Sequence, residues 1–232
     1  MAKKKGINET IEALTKISRA ITSELYLDDI LKLIVTVTAE ALNSKICSLM
    51  LIDEKGELPI KASQSISDEY LKKPPLKIGE GLAGTVVKEK IPMFAYEISK
   101  DRYFKYKEIA KKEGLKSVLC VPLLVKDRVI GAIDVYASVF HKFSKNEIDI
   151  LTMVANQSAV VIENTELIVK TKVIQEELET RKLVERAKGI LMKQNNIDES
   201  TAFRIIQKQA MDRRKSMKEI ASAIILVDDL KK

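Results

Sequence analysis

The chain has 232 residues, 46% of them hydrophobic, and a formal net charge of +7. That length suits one medium and one small domain, and that apolar content excludes wholesale disorder. The charge is uneven: residues 170–232 hold 15 Lys and Arg against 10 Asp and Glu, a net +5, while the preceding residues hold 25 against 23, a net +2. A basic final quarter fits either a polyanionic partner or a solvated helical surface.

Ile7, Ile11, Leu14, Ile17 and Ile21 recur at steps of three and four, so the spacing predicts a helix over 7–24. Leu27, Ile30, Leu31, Ile34, Val37, Thr38 and Leu42 repeat the pattern and predict a second. The period then changes. Ile46 to Ile52 is a short β-rich run, Asp53-Glu54-Lys55-Gly56 is a turn, and a partner segment starts at Leu58, so a hairpin is expected. After a Pro-Pro break at 74–75 come two short helical stretches, about 82–89 and 104–113, with a strand at 92–98 between them. Segments 117–125 and 128–139 flank Lys126-Asp127 as a second hairpin.

Ser144 with Glu147 fits a capping box that opens a long helix. From Asn146 to Lys193 there is no Pro, and the first Gly is Gly189. Ile148, Leu151, Val154, Ala155, Val161 and Ile162 make its first part apolar enough to pack on a sheet. From Leu167 the pattern thins to Leu167, Ile174, Leu178 and Val184. A narrow seam leaving its domain fits a coiled-coil homodimer, or else a plain linker helix. Leu183, Ala187, Ile190 and Leu191 then form a face, Asn195-Asn196 a turn, and Asp198 an N-cap. The next helix carries Ala202, Phe203, Ile206, Ala210 and Met211, with Phe203 expected at the centre of a small core. Ser216 with Glu219 caps a last helix whose Ile220, Ala221, Ile224 and Ile225 face inward.

Catalytic chemistry finds little to stand on. His141 is the single histidine, which leaves no His-based triad or histidine metal cluster, and it is expected in the loop before the long helix. Cys47 and Cys120 lie in apolar runs without ligand spacing, so they read as reduced core thiols of a cytosolic protein rather than zinc ligands or nucleophiles. Gly79, Gly81 and Gly84 match a dinucleotide fingerprint, but Lys-Lys-Pro-Pro-Leu-Lys rather than a strand precedes them, and no βαβ unit follows. They are expected to give a tight entry to the 82–89 helix. The longest apolar run, Val118 to Val125, is too short to span a bilayer, so a cytoplasmic location and no membrane partner are expected. No metal, cofactor or enzymatic activity is expected.

Several segments taken in order resemble the GAF family of sensory domains. They are Ser48 to Asp53 with Gly56, Ile78 to Gly84, Pro92 with Ile98 and Asp101, Ser117 to Leu123, Gly131 to Val135, and Phe143-Ser144 with Glu147. The resemblance implies an antiparallel sheet with helices on one face and a pocket for a small-molecule ligand on the other. Phe94, Tyr96, Tyr103, Phe104, Cys120 and Tyr136 either line that pocket or are core. The cyclic-nucleotide pattern of some relatives and the bilin-attaching Cys loop of others are absent, and Glu97 stands where the family usually has Asp, so the ligand stays open.

Further on, Arg181, Ala187-Lys188-Gly189-Ile190-Leu191-Met192, Ala202-Phe203, Ala210-Met211 and Ile220-Ala221 resemble the ANTAR domain, a three-helix RNA-binding module of bacterial antiterminators. The fold class expected for the whole chain is α+β: a GAF-like body over 1–166, a helical connector over 167–180 and an all-α ANTAR-like domain over 181–232. The resemblance implies binding of RNA hairpins, with its lysine and pre-helix basic residue carried onto Lys188 and Lys215. Lys188, Lys193, Arg204, Lys208, Arg213, Arg214, Lys215 and Lys218 are expected to stay exposed and hold RNA. Gln207 departs from the family, where Arg is common. The function so implied is a signal-responsive antiterminator. The alternative is DNA binding through the last helices, although the turn between them lacks the usual Gly.

Overall fold

The computed structural model describes residues 11–17, 27–64 and 67–230. The chain divides into two compact units, Met1–Glu166 and Leu167–Lys232.

In the first unit, residues 11–17 form helix α1. The rest of the helix expected over 7–24, including Ile7 and Ile21, lies outside the described residues. Helix α2 (Leu27–Leu42) buries Ile30, Leu31, Ile34, Val35, Val37 and Thr38, an apolar stripe at helical spacing. The sheet has five strands: β1 (Ile46–Leu51), β3 (Ile60–Ser63), β5 (Met93–Ala95), β6 (Ser117–Val125) and β7 (Arg128–Ala137), in the order β3-β1-β7-β6-β5 and antiparallel throughout. The β6–β7 hairpin turns at Lys126, whose φ of 54° is left-handed. The expected first hairpin is realised differently. β1 pairs with β3 across a bulge, while β2 (Glu57–Leu58) leaves to pair with β4 (Leu76–Lys77) in a separate ribbon.

Every residue of β1 is buried because both faces of the sheet are covered. Alternate residues feed two cores. Cys47, Leu49, Leu119, Val121, Ile133 and Val135 pack against α1, α2 and the first part of helix α6 (Lys145–Asn195). Ile46, Met50, Val118, Cys120 and Tyr136 point the other way, toward the short helix α3 (Asp68–Leu71), α4 (Gly81–Glu89) and α5 (Lys107–Lys112). The glycine segment serves the entry to α4: Gly79 and Gly81 have φ of 85° and 66°, which glycine adopts without strain.

α6 is a single helix of 51 residues that ends before Asn196, where φ turns to 51°. Its capping box is formed: Glu147 accepts from the Ser144 N–H at 2.8 Å, and Ser144 Oγ accepts from the Glu147 N–H at 3.3 Å. In the second unit α6 is followed by α7 (Glu199–Arg213) and α8 (Met217–Asp229). Val184, Ala187, Ile206, Ala210, Ile220, Ala221 and Ile225 form their shared core.

Candidate nucleic-acid interface and ligand site

Caps fix the three-helix tail. Asp198 accepts the Thr201 N–H at 2.7 Å and starts α7. Ser216 and Glu219 exchange backbone hydrogen bonds and start α8. Buried Ala202, Ile206 and Ala210 lie four residues apart on α7 and form one line. Phe203 sits one position off that line and is 40% exposed, so it is not the central core aromatic that its apolar character suggests. It lines a shallow groove with Val173, Val184 and Met217. Met211, also expected on the inner face, is exposed.

The expected basic residues divide into three kinds. Lys188 is a correction: it is only 7% exposed. Its Nζ donates to Glu199 at 2.6 Å and lies 2.9 Å from Glu185. The hydrogen bond from Lys188 to Glu199, then that to Glu185, raises its pKa above the ordinary lysine value. Its neighbours on α6, Ala187 and Val184, are core, and the aliphatic stem follows them inward to reach the first turn of α7. Lys215, Lys218 and Arg213 are exposed or half-exposed and engaged: Lys215 with Glu219 at 2.9 Å, Lys218 with Glu179 at 3.3 Å, Arg213 with Gln209 at 3.0 Å. The Lys215 hydrogen bond and the Ser216 backbone hold Glu219 down to about 2. Lys193, Arg204, Lys208 and Arg214 are exposed and make no side-chain hydrogen bond or ion pair among the described residues. Arg204 and Lys208 lie on one face of α7, four residues apart. Arg214 forms the α7 C-cap at φ 51°, ψ 42°. That turn projects three successive basic residues, Arg213 to Lys215, all exposed.

The aromatic set expected around a ligand splits. Cys120 and Tyr136 are buried, and Tyr103 and Phe104 pack against the same core, with the Phe104 and Tyr136 rings edge-on at 6.3 Å. Phe94 and Tyr96 do not join them. Met93 and Ala95 take the inward positions of β5, so the pleat turns Phe94 outward against Phe143, and Tyr96 stacks on Phe140. What holds the inner group together escaped the sequence reading. Asp134 is buried on β7, opposite Ser48 on β1. It accepts from Ser48 Oγ and from the Tyr136 hydroxyl at 3.0 Å, and Ser48 Oγ lies 2.8 Å from the Tyr70 hydroxyl. Lys73 sits 4.0 Å over the Tyr70 ring. Burial raises the Asp134 carboxyl above its usual range, and Lys73 partly offsets this. The signal lay in the strands: Ser48 and Asp134 are polar residues inside otherwise apolar runs. The two thiols lie on opposite faces of the sheet, Cys47 in one core and Cys120 in the other. Burial pushes both well above the ordinary thiol value, which suppresses the thiolate that nucleophilic chemistry needs. His141 stands in the loop before α6, with Nε2 2.7 Å from Glu147.

The five-stranded sheet covered by helices is the architecture of GAF domains. The GAF domain of a phosphoenolpyruvate-protein phosphotransferase from Coxiella burnetii superposes with a TM-score of 0.62 at 24% identity, over 70% of this chain and 97% of that one. GAF domain patterns match residues 24–163, and ANTAR domain patterns match residues 172–225. The chain belongs to the GAF family, and an ANTAR domain follows its GAF domain. It is 35% identical over 118 residues to the transcriptional regulatory protein PdtaR of Mycobacterium tuberculosis, across 51% of this chain and 47% of the relative. It is 24% identical over 162 residues to the Nif-specific regulatory protein of Herbaspirillum seropedicae, across 66% of this chain and 29% of that protein. The matched stretches thus span less than half the length of these curated relatives. No helix among the described residues is long and apolar enough to cross a membrane.

Proposed function

We propose that this chain is a signal-responsive, non-enzymatic regulator that binds RNA hairpins through its ANTAR domain and acts as a transcription antiterminator. The observation that carries the reading is the exposed basic surface of α7 and its C-terminal turn. Among the described residues Arg204, Lys208 and Arg214 make no side-chain hydrogen bond or ion pair there, and Lys193 is equally exposed on α6. RNA phosphates are the counter-charge such a surface lacks, and splayed loop bases stack on guanidinium planes. Arg213, Lys215 and Lys218 add charge around it by exchanging exposed carboxylates for phosphate. Lys188 takes another part: it positions α7 from beneath rather than touching RNA. The names of the two regulatory relatives agree with this reading.

The GAF domain is the sensor in this proposal, with a small molecule seated near Tyr103, Phe104, Cys120 and Tyr136. The sensor occupies residues 1–166, the connector 167–180 and the RNA-binding part 181–232. Two copies join through the connector, and the protein works in the cytoplasm.

The test is filter binding of the full chain to RNA carrying two hairpins, with a salt titration and a duplex DNA competitor of equal length. A preference for the RNA is expected. Equal or tighter binding to the duplex would instead favour a DNA-binding regulator and overturn the proposal.

A further inference from the structure

A cavity of about 280 Å³ lies inside the GAF domain, between the end of α2, strands β6 and β7, and the loop that leads into α6. Leu119, Val135 and Phe143 give it an apolar wall, and Ser44, His141 and Glu147 give it a polar side. Leu119 and Val135 belong to the core beneath α2 and α6, whereas Tyr103, Phe104 and Cys120 belong to the core on the other face of the sheet. The cavity therefore stands apart from the ligand place proposed above.

The backbone fixes its polar side. Asn43 turns at φ 47° after α2. The Ser44 N–H then donates to the Ala39 carbonyl at 3.0 Å, and the Lys45 N–H to the Tyr136 carbonyl at 2.9 Å, which pins the turn to the end of β7. Ser44 Oγ is thereby shut from solvent, and it makes no hydrogen bond among the described residues. A buried hydroxyl without a partner weakens a fold, so its place beside a cavity points to a partner that the cavity admits. Across from it, Glu147 accepts from the Ser144 N–H and lies 2.7 Å from Nε2 of His141. A carboxylate only accepts, so Nε2 carries the proton and the neutral ring keeps Nδ1 as an acceptor.

We propose that this cavity binds a small uncharged molecule with a ring or branched hydrocarbon body and one hydroxyl or N–H group. The apolar wall takes the body, and Ser44 and His141 take the polar group. The Glu147 carboxylate repels an anion at the same place. The volume lies at the small end of ligand sites, which begin at about 300 Å³, and so excludes nucleotides and other large ligands.

Amide spectra of the full chain, titrated separately with phenol, indole and benzoate, test this. Phenol and indole are expected to shift amides 42–44 and 135–143, and benzoate to leave them in place. No shift with phenol or indole, an equal response to benzoate, or shifts confined to amides 103–106 and 120 on the other face overturns the proposal. Ser44→Ala is expected to weaken phenol binding about fivefold, the loss of one hydrogen bond, while the melting temperature of the free chain stays equal or rises. Unchanged phenol affinity in that variant overturns the proposal, and so does a fall in its melting temperature, which would mark the hydroxyl as bonded within the fold. Val139 lines the cavity and is 59% exposed, so Val139→Trp is expected to close it and abolish the phenol shifts in a folded chain. Shifts that persist there count against the site as well. None of these readouts involves RNA, so failure here and failure of the RNA proposal are separately visible.

Discussion

Lys188 and Arg204 are both cations of the ANTAR domain, and their substitution should fail in different ways. Lys188→Met leaves Glu185 and Glu199 without their shared partner. Its expected result is a lower unfolding temperature by circular dichroism and weaker RNA binding whose salt dependence is unchanged. Arg204→Ala and Lys208→Ala should leave the melting curve in place and each lower the slope of log affinity against log salt by about 0.7–0.9. Arg214 is a third case. Its left-handed backbone at φ 51° is one that L-residues adopt at a cost. Arg214→Gly should therefore stabilise the chain by about 1 kcal/mol in denaturant titrations while weakening RNA binding. In the GAF domain, burial first of all raises the Asp134 carboxyl, so its ionisation is harder in the folded state. Stability is thus lost as pH rises from the ordinary aspartate value of 3.8 and levels off above the folded value. Asp134→Asn should flatten that part of the pH profile, read by unfolding across acidic buffers.

At the scale of elements, caps and close approaches make sharp predictions. Ser216→Ala removes the Oγ that accepts the Glu219 N–H, leaves the backbone N–H that donates to the Glu219 carboxylate, and should cost about 1 kcal/mol in chemical denaturation. A Cβ on Gly131 would sit 2.0 Å from the Met50 carbonyl oxygen, so Gly131→Ala must push β1 from β7. A loss of about 3 kcal/mol is expected. What the sequence disclosed follows the same logic. Elements with a complete local signal were legible: α2 by its apolar period, the β6–β7 hairpin by its turn, α7 and α8 by Asp198 and Ser216. The split between β2 and β3 was not, because the turn at 53–56 fits either partner and only the distant β4 decides. Phe203 and Lys188 misled for one reason. Hydrophobicity and charge say what a side chain prefers, whereas its angle on the helix says what it gets. Ala202, Ile206 and Ala210 claim the inner line, leaving Phe203 out, and Lys188 lies next to Ala187 and is carried in. The polar network of Ser48, Tyr70 and Asp134 draws on three separated segments, so polar residues inside the apolar runs of β1 and β7 flag it without naming their partners.

For the molecule as a whole, β7 is the strand that lines both cores of the GAF domain. β7 presents Asp134 and Tyr136 to the core where a ligand is proposed, and Ile133 and Val135 to the core that holds Leu151, Val154 and Val161 of α6. These side chains alternate along a single pleated backbone, so rotating one pair about the strand axis swings the other the opposite way. If a ligand takes the proposed place on the polar side, the expected effect is a lever on the part of α6 packed against the opposite face. Hydrogen exchange should register it as altered protection of amides 148–162 when a ligand is added, and an Asp134→Asn chain should show a smaller change at the same amides.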